Sequence, residues 1–148
     1  MSARPLRRVV GTGLLATLAA MAATTVTAAL ARGIGVELEV PDGGETIPLS
    51  GIAFVTGVFS IVGVVIAGAL LRWSDRPKEH FVRTAVALTT LSLVPPWLVG
   101  AAGSTSVALV VLHLVAAAVM IPSVAGSLRA TSSVAADLSP ARAGEPSR

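Results

Sequence analysis

The chain alternates between long uncharged stretches and short charged ones. Val9 to Ala31 carries no charge, nor does Thr46 to Leu71, and Thr84 to Leu128 has His113 as its one ionisable group. None of these stretches shows the polar stripe at 3.6-residue spacing that a helix on a soluble surface carries. A hydrocarbon layer about 30 Å thick takes roughly 20 helical residues to cross. The first two stretches fit one crossing each. The third is too long for one and fits two, joined by a tight turn where Gly100, Gly103, Ser104 and Ser106 cluster. Spans are therefore expected at 9–31, 51–71, 83–99 and 107–128. Backbone groups cannot stay unpaired in lipid, so each crossing is a helix. The expected fold is all-α: a polytopic membrane protein, with an antiparallel bundle of four transmembrane helices over residues 1–130. The Ala-, Ser- and Pro-rich tail over 131–148 is expected to be disordered.

Composition narrows the function classes. The 148 residues are 53% hydrophobic and 13% charged, with a mean hydropathy of +0.81. A soluble domain carries about 25% charged residues, so this chain has too few to cover a water-facing surface. The absence of cysteine excludes a disulfide scaffold, a thiol nucleophile and any Cys-ligated metal. No Ser–His–Asp set or metal cluster can be assembled within the spans, so neither an enzyme nor a cofactor is expected.

Charge sets the threading. Arg4, Arg7 and Arg8 precede the first span; Arg72, Arg76, Lys78 and Arg83 lie between the second and third; Arg129, Arg142 and Arg148 follow the fourth. The opposite side has only Arg32, beside Glu37, Glu39, Asp42 and Glu45. Lys and Arg favour the cytoplasmic side of short loops. The expectation is a multi-pass protein of the cytoplasmic (inner) membrane with both termini cytoplasmic. The same cations are attracted to anionic lipid. No aromatic residue is interleaved with them, so nucleic-acid binding is not expected. Trp73 and Trp97 fall at span ends, where interfacial indoles belong, and Phe81 is expected at the inner interface beside Trp73. The Arg-rich start and the triplet Ala29-Leu30-Ala31 also fit a cleaved signal peptide, although the apolar run exceeds the usual 7–15 or so residues. Retention as a first helix and cleavage to a three-helix product both stay open.

Between the first two spans, Val36, Leu38 and Val40 alternate with Glu37 and Glu39, a period of two. Pro41-Asp42-Gly43-Gly44 has turn chemistry, and Glu45 to Leu49 can run back. A short outer hairpin or curled loop capping the bundle is expected. The carboxylates lack the spacing of a calcium loop, and solvation accounts for them.

Small residues let helices approach closely in lipid. Ala16, Ala20, Thr24 and Ala28 form one four-residue ridge on the first span; Ala19, Ala23, Thr27 and Ala31 form its neighbour. The second span carries Ala53/Gly57 and Gly63/Ala67, and the fourth Ala116, Ala117 and Ala118. These surfaces serve either packing within the bundle or docking of a membrane protein partner or second copy. The sequence does not choose the face. Besides such partners, the lipid bilayer itself surrounds the chain.

His113, Ser92, Pro95 and Pro96 make up a candidate intramembrane polar site. Counting inward from the outer turn puts Ser92 level with His113. Pro95 and Pro96 lack N–H groups, which strips the carbonyls of Leu91 and Ser92 of their helical donors. An imidazole N–H from His113 is expected to heal that break. The alternative is a proton-responsive site, since histidine titrates near physiological pH. No charged residue accompanies it within the spans, as a proton relay usually requires. Pro122 frees the carbonyl of Ala118 and is expected to kink the fourth span, with the Ser123 hydroxyl nearby.

The runs Ile47 to Gly51, Ala87 to Pro96 and His113 to Pro122 resemble a family of small four-helix membrane proteins from actinobacteria, of unknown function. The resemblance extends to about residue 130. It implies the fold and the membrane location, and no activity. The reading that emerges is a non-enzymatic structural or interaction subunit. A small transporter or channel-type protein using the level of His113 and Ser92 is the alternative.

Overall fold

A computed structural model describes residues 3–39, 44–98 and 103–137. The helices are α1 (Ala3–Gly33), α2 (Leu49–Trp73), α3 (Pro77–Ser92), α4 (Pro95–Leu98) and α5 (Gly103–Asp137). Four stretches are long and apolar enough to cross a membrane: Arg4–Gly33, Leu49–Trp73, Pro77–Leu98 and Gly103–Thr131. The third combines α3 and α4. The architecture is all-α, and its four apolar helices mark a multi-pass membrane protein.

The helices overrun the uncharged stretches. α1 takes in Arg4, Arg7 and Arg8, because arginine is a good helix former and its long stem carries the charge away from the apolar layer. An uncharged run thus reports the lipid-crossing part of a helix, and not the helix itself. α1 ends in a Schellman motif: Val36 N–H reaches Ala31 O at 3.0 Å, Gly35 N–H reaches Arg32 O at 3.0 Å, and Gly35 takes φ +89°. Gly103 to Ser106, expected in the turn, form the first turn of α5 instead. α5 also runs on through Asp137, so residues 131–137 are helical; 138–148 lie outside the described residues. There Thr131 is buried, and its hydroxyl donates back to Leu128 O at 2.8 Å.

α1 is the centre of the packing. Its ridge of Ala16, Ala20, Thr24 and Ala28 is buried along its whole length, at most 6% exposed. Against α2 the pairs run in opposite directions. Leu6 lies by Gly68, Gly13 by Val64 and Met21 by Gly57, and the hydroxyls of Thr24 and Thr56 lie 3.2 Å apart. On the other flank Val9 joins Val124 and Leu128 of α5 in the larger apolar cluster, together with Val64, Ala67 and Phe81. A second cluster at the far end joins Ala28, Ile52 and Leu112. α1 and α5 therefore start and finish at the same end, the one that carries the arginines. Phe81 is not at an interface beside Trp73: it is 3% exposed and closes the core at that end. α3 is peripheral. Of its most apolar stretch 11% is buried, against 28% for α1.

Threonine hydroxyls along α1 bond their own helix. Thr17, Thr24, Thr25 and Thr27 each donate to the carbonyl four residues back, at 2.7–2.9 Å. That removes the cost of a bare hydroxyl in an apolar medium without calling on a neighbouring helix.

The segment between α1 and α2 is a strap across the bundle end. The expected hairpin is reduced to one antiparallel bridge, Glu39 with Thr46, beside an Ile47 N–H to Leu38 O bond of 2.7 Å. The turn at Pro41, Asp42 and Gly43 lies outside the described residues. Leu38, fully buried, plugs the cluster of Ala28, Ile52 and Leu112. Thr105 donates to Glu37 O at 2.5 Å, and the Arg32 guanidinium donates to Ile47 O.

Gly13 is the closest approach of α1 to α2. A Cβ there would stand 2.5 Å from Val64 Cγ2 and 2.9 Å from Cγ1, atoms of a stiff branched side chain. Gly13→Ala is expected to lower unfolding free energy by about 1–3 kcal/mol through overpacking, against the roughly 1 kcal/mol that alanine otherwise gains in a helix. Val64→Ala in the same chain should recover part of that loss. Gly11→Ala, with open space around its Cβ, should be neutral or stabilising. Denaturant unfolding in one detergent compares them.

Candidate functional site

The third span breaks where its sequence demands. α3 ends at Ser92, because Pro95 and Pro96 cannot supply the N–H groups that would continue it. The chain turns tightly instead. Leu93 N–H reaches Thr90 O and Val94 N–H reaches Leu91 O, both at 3.2 Å, and Trp97 N–H reaches Val94 O at 3.1 Å. Pro95 and Pro96 then occupy the first turn of α4, where a missing N–H costs nothing. α4 is pinned to α5 by the buried Ser106 hydroxyl, which donates to Pro96 O at 2.7 Å.

This geometry corrects the expected role of His113. The Leu91 carbonyl takes its donor from Val94, three residues on, and not from an imidazole. His113 bonds within its own helix: Nδ1 lies 2.7 Å from Leu109 O. A carbonyl only accepts, so Nδ1 carries the proton and the ring's other nitrogen is left as an acceptor in the neutral form. Ser92 likewise bonds locally, donating to Thr89 O at 2.7 Å. Both side chains are half-buried. Of the four residues, Pro96 is tied to α5 through Ser106, and the side chains of Ser92 and His113 each spend their bond on their own helix.

Beside them runs a groove of about 510 Å³ between α3 and α5. Thr89, Thr90 and Leu93 line one wall; Leu114, Ala117, Ala118 and Pro122 line the other. The alanines on the α5 wall are too small to fill the space, which leaves the groove open beside the proline inside α5. Ser123 donates to Val119 O at 2.7 Å beside the proline. Thr90 donates to Val86 O at 3.0 Å.

Sequence reasoning missed Ser106, Thr105 and Arg32 as the polar ties of this end. Arg32 Nε is buried without a hydrogen-bond partner among the described residues. The signal for Ser106 and Thr105 was present in a Gly-Ser-Thr-Ser run, but it reads equally well as a turn. Among the described residues, no three of His, Cys, Asp and Glu come together as a metal site.

Residues 4–130 match the model of DUF6069, a family of unknown function. The chain belongs to that family. The match takes in all four candidate spans except the last residue of the fourth, Thr131. No curated protein and no solved structure matches the chain. The DUF6069 assignment therefore gives the site a family and no chemistry.

If Ser106 is the tie and His113 is not, their removal should differ. Ser106→Ala is expected to cost about 1 kcal/mol of stability, leaving Pro96 O without its donor. His113→Leu should change stability by less than that, because the backbone keeps its own bonds. Thermal melts of both variants in the same detergent decide the order.

Proposed function

We propose that this chain is a non-enzymatic subunit of the cytoplasmic membrane that works by packing with a membrane partner or a second copy of itself. The observation that carries the proposal is the unequal use of the two small-residue ridges on α1. The bundle consumes Ala16, Ala20, Thr24 and Ala28. The adjacent ridge is only partly covered: Ala19 is exposed, and Ala23, Thr27 and Ala31 are half-buried. Side chains this small bring little dispersion contact with lipid. Their use is to let another helix come close. The thinly packed third span, with a groove at its side, adds further unoccupied helix surface.

We place both termini in the cytoplasm, on the charge asymmetry alone. The transport reading needs the level of Ser92 and His113 to open to water, and both side chains bond their own helices.

Because the chain has no cysteine, a single Ala19→Cys variant gives a clean test. Oxidation in native membranes should trap a species heavier than the 14.8 kDa chain, either its double or a heterologous adduct. A cysteine at Leu18, 63% exposed and about 100° round the helix from Ala19, should give much less. Equal trapping at the two positions, or a lone monomer on native detergent sizing, contradicts the proposal.

A further inference from the structure

The turn joining α2 to α3 is short and tied down. Ser74 closes it. Its N–H bonds Leu70 O at 2.9 Å, and its hydroxyl accepts Arg76 N–H at 3.2 Å and lies 2.6 Å from His80 Nδ1. On the α3 side, Pro77 and Phe81 are buried. The turn is thus fixed to the bundle on both flanks.

What it presents outward is a cationic and aromatic surface. Trp73, the last residue of α2, is 79% exposed. Arg72, Arg76, Lys78 and Arg83 are all exposed. Among the described residues one of the four has an ion-pair partner: Arg76, 3.6 Å from Glu79, with both side chains well exposed. Such a pair is worth little in water and leaves the cation available. The other carboxylate of the turn, Asp75, has no ion pair among the described residues. Exposed Arg4, Arg7, Arg8 and Arg129 crowd the same end of the bundle. Membrane threading alone needs positive charge there, which a loose loop supplies equally well. It does not need a hydrogen-bonded turn, three cations without an ion pair among the described residues and an indole at the edge of an apolar span.

We propose that this turn is a binding site for the phosphate of an anionic phospholipid. The indole of Trp73 seats at the level of the glycerol and upper acyl chain, where amphipathic rings are most stable. The guanidinium and ammonium groups supply charge-assisted bonds to the phosphate oxygens. A second headgroup charge distinguishes an anionic lipid from a zwitterionic one, because the choline of the latter would face the same cations. The proposal stands apart from the subunit packing above, since it uses the opposite face of the chain's chemistry and does not depend on which side of the membrane this end occupies.

The test uses the full chain in neutral detergent, titrated with phosphatidylglycerol, phosphatidylcholine or inorganic phosphate. Thermal midpoint is followed, together with Trp73 emission in a Trp97→Phe background. Phosphatidylglycerol is expected to raise the midpoint and shift the emission to the blue. Phosphatidylcholine and inorganic phosphate should do neither. A chain with Arg72, Arg76, Lys78 and Arg83 all changed to Gln should need at least five-fold more phosphatidylglycerol for the same effect, roughly what one cation near an anionic surface contributes. Raising salt, which shortens the Debye length from about 10 Å at 0.1 M, should weaken the effect in the parent. Should the fourfold variant not fold, Lys78→Glu on its exposed side chain carries the same expectation. Equal shifts from both lipids, a shift reproduced by inorganic phosphate, or an unaltered response in the variants would overturn the proposal.

Discussion

Close backbone contact along one seam of α1 is what the rest of the bundle depends on. In a bilayer the lipid tails are as apolar as leucine, so burying leucine against leucine drives nothing. Helices must instead gain by fitting tightly. The ridge from Ala16 to Ala28, with Gly13 beneath Val64 and Met21 against Gly57, gives α1 the surface on which α2 and α5 both settle. Threonines along it return their hydroxyls to their own backbone, so the seam stays thin and free of bare polar groups. Among the described residues, the bonded pair Thr24 and Thr56 is the one place where α1 and α2 share a hydroxyl contact.

The looser parts of the molecule follow from that economy. α3 touches the seam mainly through Phe81 at the arginine end. Higher up, a groove lies between α3 and α5, and the alanines on its α5 wall do not fill it. The far end is closed differently, by a strap whose Leu38 fills the gap between Ala28, Ile52 and Leu112. Polar ties from Arg32, Thr105 and Ser106 hold the strap and α4 in place. One end is thus sealed by an apolar plug and a few hydrogen bonds. The other is a hydrogen-bonded, cation-bearing turn.

Much of the fold was legible in the sequence. Freedom from charge over runs too long for a soluble helix located the lipid-crossing segments, and the four-residue repeat of alanine and threonine located the seam. What could not be read was which of two adjacent ridges faces inward, because both satisfy the same spacing. Phe81 was misplaced for a related reason: an aromatic near a span end is as suited to a core as to an interface. The site was legible only in part. Pro95 and Pro96 announced a break, but a local three-residue turn heals it more cheaply than a distant imidazole can, and no pattern in the sequence separates those outcomes. Ser106 and Thr105 sit in a run that reads as loop and folds as a helix start.

The absence of native cysteine permits a direct measurement of the seam. Thr24 and Thr56 hydroxyls lie 3.2 Å apart, so thiols at both positions would face each other across α1 and α2. On mild oxidation in membranes, a Thr24→Cys, Thr56→Cys chain should form a link within one chain, running near 14.8 kDa and shifting on reduction. Chains carrying either cysteine alone should not cross-link. A link formed chiefly between chains, or no link at all, would mean that this ridge of α1 faces something other than its own α2.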